Sequence, residues 1–136
     1  MEISVVGAGH VGLVTAACFA DLGHQVVVVD NDTKRIAKLK KGIMPYYEPG
    51  LEELVLRGVR EKRLHFTTSI KEGVQKTTII FIAVGTPQKA TGEADLAYVE
   101  DVARSVAEHL PGYRLIVEKS TVPVQTGKWV YHTIKT

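Results

Sequence analysis

The sequence predicts an α/β protein: a doubly wound, mostly parallel sheet of five or six strands in the order 3-2-1-4-5, with helices on both faces. Three observations predict it. Short apolar runs alternate with helix-period segments along the chain, the pattern of parallel strands joined by crossover helices. One run, Val26-Val27-Val28-Val29, is four β-branched residues in succession, as expected of a strand buried on both faces. A glycine-rich turn, Gly7-Ala8-Gly9-His10-Val11-Gly12, joins the first apolar run to the first helical segment. Right-handed crossovers then leave that strand order as the natural path.

Each element has its own warrant. Residues 3–6 are the first strand. Residues 10–22 form a helix that places Val11, Val14, Cys18 and Leu22 on one inward face, and Gly23 sits where a helix stop belongs. Residues 26–29 are the second strand. Asp32 caps a helix carrying Ile36 and Leu39, with Lys38, Lys40 and Lys41 towards its end and Gly42 closing it. The two prolines of residues 43–50, Pro45 and Pro49, make that stretch a loop. A short helix over 51–57 starts with Glu52 and Glu53 in its favourable first turn. Residues 64–66 are a weak strand and 78–84 a strong one, followed by a polar loop over 85–92. Asp95 caps a long helix with Leu96, Val99, Val102, Val106 and Leu110 inward. Residues 115–117 are the fifth strand, and a last helix opens at Pro123 or Gln125 and runs to the end. A dinucleotide fold has six strands, so the chain is expected to stop inside the second half of its own fold.

With 136 residues and a formal net charge of +2, the chain holds one domain, and its near-balanced charge supports neither a nucleic-acid nor a membrane-surface role. Residues 1–6 lack a basic flank and are followed by Gly7, Gly9 and Gly12, so neither a signal peptide nor a membrane span is expected. The single cysteine, Cys18, excludes an internal disulfide framework and a cysteine-rich zinc site and fits a cytoplasmic protein. Its predicted place on the inward face of the first helix makes it a core residue. His24, His65, His109 and His132 have no ligand spacing, and no metal site is expected.

The turn 7–12 fits G-x-G-x-x-G between a strand and a helix, and Asp30 ends the next strand 18 residues beyond Gly12, the context that makes this pattern a dinucleotide fingerprint of the Rossmann type. Gly7 makes the tight turn, Gly9 lets a pyrophosphate approach the backbone, and Gly12 lets helix and strand pack closely. The helix N-terminus offers free N–H groups to the phosphates. Asp30 accepts hydrogen bonds from a ribose diol and repels a 2′-phosphate, so the expected cofactor is NAD rather than NADP; Lys34 and Arg35 nearby are the counter-argument.

Five further stretches resemble the N-terminal NAD-binding domain of the UDP-glucose/GDP-mannose dehydrogenase family. They are the loop Pro45-Tyr46-Tyr47-Glu48-Pro49-Gly50-Leu51-Glu52-Glu53-Leu54, similar to P-x-Y-E-P-G-L-x-E-L; the strand Arg63-Leu64-His65-Phe66-Thr67-Thr68; the segment Phe81-Ile82-Ala83-Val84-Gly85-Thr86-Pro87; Ala94-Asp95-Leu96-Ala97-Tyr98-Val99; and Lys119-Ser120-Thr121-Val122-Pro123-Val124. Their order and spacing cover essentially the whole chain, and the first two look most like the members that oxidise UDP-glucose. The resemblance implies oxidation of the C6 alcohol of a nucleotide sugar to a carboxylate with two NAD+ used in sequence. It implies a cofactor site of Gly7, Gly9, His10, Val11, Gly12, Asp30, Arg35, Gly85, Thr86 and Thr121, with Thr121 near the nicotinamide and holding a water there. His10 stands where that family usually has Tyr, which leaves the packing of the ring open, and Gln125 where many members have Gly. Tyr46 and Tyr47 either pack under their loop or touch a ligand. The family's catalytic cysteine, with its lysine and aspartate partners, belongs to a later domain. The expectation is therefore a segment, residues 1–136, of a longer cytoplasmic enzyme, homo-oligomeric only as the full-length protein and inactive by itself. A GDP-mannose or UDP-N-acetyl sugar, or a stand-alone nucleotide-sensing domain, are the alternatives.

Overall fold

The computed structural model describes residues 1–84, 97–112 and 114–118. The described elements run β1 (Glu2–Val6), α1 (His10–Asp21), β2 (Gln25–Val29), α2 (Thr33–Lys40), α3 (Leu51–Arg60), β3 (Leu64–Thr67), α4 (Ile70–Gln75), β4 (Ile79–Ile82), α5 (Ala97–Glu108) and β5 (Leu115–Glu118). The strands form one sheet in the order β3-β2-β1-β4-β5, every neighbouring pair parallel. This is the order read from the sequence.

Alternation along the strands divides the core into two layers. Ile3 and Val5 of β1 and Val26 and Val28 of β2 point to the face covered by α1, α2 and α3, where they meet Leu13, Ile36, Leu39 and Val55. Val6, Val29, Ile80 and Ile82 point the other way, towards Val74 of α4 and Val99, Val102 and Val106 of α5. The Asp32 cap of α2 is formed, its Oδ1 accepting the Arg35 N–H at 3.0 Å. The stretch 43–50 is a loop, as its prolines require.

Four differences from the sequence reading are instructive. Helix α1 is rotated from its expected phase. Gly12, Leu13, Ala16, Ala17 and Ala20 are buried, while Val11 is 46% and Leu22 73% exposed. Cys18, expected in the core, is exposed. The reason is size: glycine and alanine let the helix axis approach the sheet, so the small face wins over the branched one. Second, α4 is a helix that the sequence reading left out. Third, α3 runs on to Arg60, and β3 to Thr67. Fourth, β4 spans Ile79–Ile82 rather than 78–84, although Thr78 and Ala83 at its two ends still donate to the Glu2 and Val6 carbonyls of β1 at 3.0 and 2.8 Å. Leu96, the Asp95 cap, the loop 85–92 and the helix beginning at Pro123 or Gln125 lie outside the described residues.

Candidate functional site

The strand order reverses between β1 and β4: β1 leads to α1 on one face, and α5, which follows β4, lies on the other. The two strands stay paired to their carboxyl ends, but the helices that follow them lie on opposite faces, and that edge of the sheet is the place where open α/β sheets bind ligands. The glycine turn lies at this edge, and each glycine has its own reason to be there. Gly7 turns the chain at φ 114°, and its N–H donates to the Val29 carbonyl at 2.7 Å. A Cβ on Gly7 would lie 2.4 Å from the Ala83 carbonyl oxygen, and one on Gly12 would lie 1.9 Å from that of Gly7. A Cβ on Gly9 would meet nothing within 4 Å. Two glycines are thus demanded by backbone packing, whereas the third faces open space that a ligand can enter. The N-terminus of α1 carries no side-chain cap and no acidic residue in its first turn, so its N–H groups and the positive end of its dipole remain available to an anion.

Asp30, just beyond β2, is tied into this turn more closely than its sequence role requires. Its Oδ2 accepts the Ala8 N–H at 2.8 Å and its Oδ1 the Asp32 N–H at 2.9 Å. A carboxylate has about four acceptor positions, so capacity remains for a diol. The Arg35 guanidinium stands 3.7 Å from Asp30 Oδ2, which ties the nearest cation to a carboxylate.

On the other side of the turn the loop 43–50 closes in. The Tyr46 hydroxyl donates to the Gly9 carbonyl at 2.6 Å. The His10 ring packs on the Tyr46 ring, centroids 5.0 Å apart, with its Nε2 3.4 Å from Glu48 Oε2. That places the ring whose packing the sequence left open. Burial pushes the Tyr46 phenol up to about 12; the Arg35 charge opposes the shift and Glu48 adds to it. Tyr47, its neighbour, is 88% exposed.

A cavity of about 290 Å³ adjoins the turn, with Val6, Val29, Ile70, Val84 and Val102 as apolar wall and Gly7, Asp30, Asn31 and Ser105 among its rim. A larger hollow of about 500 Å³ lies at the opposite edge of the sheet, near Glu2, Gln25 and Thr77. It is remote from the glycine turn, and the smaller cavity at the switch point is the better candidate. The structure thus brings Gly7, Gly9, His10, Val11, Gly12, Asp30 and Arg35 together. Gly85, Thr86 and Thr121 lie outside the described residues. Among the described residues no group of three or more His, Cys, Asp or Glu gathers to hold a metal ion, and no helix is long and apolar enough to cross a membrane. The residue that sequence reasoning underrated is Tyr46: a contact across 37 positions leaves no local signal.

Comparison with known proteins agrees with this geometry. The sequence model of the UDP-glucose/GDP-mannose dehydrogenase family, NAD binding domain, matches residues 1–136. The chain is 51% identical to the UDP-glucose 6-dehydrogenase TuaD of Bacillus subtilis, over 98% of this chain and 29% of that protein. It is 50% identical to a UDP-glucose 6-dehydrogenase of Rhizobium meliloti, over 99% and 31%. Among solved structures, a GDP-mannose dehydrogenase of Pseudomonas aeruginosa superposes with a TM-score of 0.94 at 37% identity, over 99% of this chain and 32% of that one. A UDP-glucose dehydrogenase of Pyrobaculum islandicum superposes at 0.93 and 43% identity, over 98% and 32%. The chain spans about 30% of the length of these relatives. With the fingerprint turn built, the switch-point cavity beside it and a family match along its entire length, the chain belongs to the UDP-glucose/GDP-mannose dehydrogenase family and forms its NAD-binding domain.

Proposed function

We propose that residues 1–136 are the cofactor domain of a longer nucleotide-sugar 6-dehydrogenase, and that the whole enzyme oxidises UDP-glucose to UDP-glucuronate. The observation that carries the cofactor half is the open space at Gly9 against the uncapped start of α1. In this reading the N–H groups of His10 and Val11 hold the pyrophosphate, Asp30 the adenosine ribose, and Arg35 stands beside both. The apolar cavity behind Asp30 suits the adenine ring. Gly85, Thr86 and Thr121 complete the nicotinamide side, with Thr121 holding a water at the reacting centre; these three roles rest on the family resemblance. Bound NAD+ supplies the hydride acceptor. The sugar assignment is supported by the names of the half-identical relatives. We place the enzyme in the cytoplasm, because residues 1–136 hold one cysteine and so no internal disulfide, and assign any homo-oligomer contact to parts of the full-length protein beyond these residues.

Calorimetry at matched salt tests the cofactor assignment. NAD+ should bind more tightly than NADP+, Asp30→Ala should narrow the gap by removing a repulsive carboxylate, and Gly9→Val should abolish binding of both. Equal wild-type affinities would overturn the NAD preference, and binding that survives Gly9→Val would overturn the site.

A further inference from the structure

Gly9 is the residue before the first turn of α1, and it has no side chain with which to fix its own orientation. The peptide plane between Gly9 and His10 carries two groups that matter. Its carbonyl oxygen points down α1, and its N–H, on His10, points back out of the helix start. Because the peptide is planar and trans, the two point in opposite directions, so whatever holds the oxygen also aims the N–H. The oxygen accepts the Leu13 N–H at 2.9 Å, the first bond of the helix. On its second lone pair it accepts the Tyr46 hydroxyl at 2.6 Å. Helix ends fray, so one terminal backbone bond holds this plane weakly. The second donor arrives from a different element, on a ring packed against the core beneath α1.

We propose that Tyr46 is a positioning residue for cofactor binding: by donating to the Gly9 carbonyl it locks the Gly9–His10 peptide plane and keeps the His10 N–H aimed at the pyrophosphate. The proposal rests on the NAD-binding reading above and adds a residue to it. The loop pattern P-x-Y-E-P-G fixes Tyr47, Glu48, Pro49 and Gly50 and leaves position 46 open, so the family resemblance gives Tyr46 no role. Tyr47, which does occupy the patterned aromatic position, is exposed. The neighbouring groups suit the task. His10 covers the Tyr46 ring and pairs with Glu48, which holds the one nearby carboxylate of the loop against an imidazole. Arg35 is occupied by Asp30. A phenol that titrates only at about 12 keeps its proton, and so remains a donor, through the whole neutral range.

The test is Tyr46→Phe, which removes one oxygen and keeps the ring. NAD+ and ADP-ribose contain the pyrophosphate, and their dissociation constants should rise about tenfold, the equivalent of about 1.4 kcal/mol. Adenosine, which lacks it, should bind as before in a competition assay. In the ligand-free protein, amide hydrogen exchange at Leu13, whose N–H is bonded to the Gly9 carbonyl, should quicken as the first turn loosens, while amides in the second half of α1 change less. Should Tyr46→Phe bind NAD+ as the wild type does, the positioning role is wrong while the cofactor reading stands. An equal loss for adenosine and ADP-ribose would make Tyr46 a mere packing residue and also overturn the proposal. Failure of the wild-type chain to bind NAD+ would overturn the cofactor reading and this proposal together.

Discussion

Burial raises the Tyr46 phenol from 10.0 to about 12, against the pull of Arg35 and with the help of Glu48, and this makes one part of the folding stability depend on pH in the alkaline range. Between those two values the unfolded chain has released the proton and the folded one retains it, so folding stability must fall as pH rises. The contribution is whole below pH 10.0 and is lost as the pH climbs to about 12. Urea midpoints taken from pH 9 upwards should therefore decline more steeply for the wild type than for Tyr46→Phe, the other titrating groups being common to both. Parallel declines would show that the phenol is not held in its neutral form. At neutral pH the same substitution should cost only about 1 kcal/mol, because the Gly9 carbonyl keeps its bond from Leu13. His10 shows why a departure from a motif need not damage a site: its ring has a partner in Tyr46, while the turn is built by the backbone of Gly7, Gly9 and Gly12.

Among the elements, α4 and α1 show what the sequence revealed and what it concealed. Helix α4 is six residues long and contains Gly73, too short to display two turns of periodicity. The available signal was its cap. Ser69 precedes Glu72 by three residues, and the Ser69 hydroxyl accepts the Glu72 N–H at 3.2 Å. Gly73 exists because α4 presses on the sheet: a Cβ there would lie 2.4 Å from Val29 Cγ2. Gly73→Ala should accordingly destabilise the protein by roughly 1–3 kcal/mol through overpacking, despite alanine's better helix propensity. An unchanged or higher midpoint in urea would mean that α4 shifts freely. For α1 the difficulty was the opposite. It is apolar on nearly every side, so periodicity could not choose a face, and the choice fell to side-chain volume, which a hydrophobic pattern does not weigh. The strands, their order, the Asp32 cap and the glycine turn were all legible because each is local in sequence or dictated by crossover handedness. The Tyr46 contact and the backbone bonds of Asp30 were not, since both depend on how separate elements meet.

At the scale of the whole molecule, the described residues place the cofactor turn at one end of α1 and the chain's single cysteine near the other. Cys18 lies eight residues beyond His10, about 12 Å along the helix axis, on its outer side. It is accessible rather than buried, yet still remote from the cavity, so the thiolate chemistry that the family resemblance implies has no nucleophile at this turn. The 136-residue chain should therefore produce no NADH from UDP-glucose or GDP-mannose in an absorbance assay, while binding NAD+. Turnover that persists in Cys18→Ser would reveal an unrecognised nucleophile or a reaction with no covalent step. The rotated phase of α1 has a colloidal consequence. Val11, Cys18 and Leu22 fall on one line down the helix, and Leu115 of β5 is half exposed as well, so water wets an oily ridge with a net charge of only +2 to keep copies apart. Attraction between molecules should make the osmotic second virial coefficient negative near neutral pH. Leu22→Lys, at a position 73% exposed and beside the negative end of the helix dipole, should turn it positive in static light scattering without lowering the unfolding midpoint.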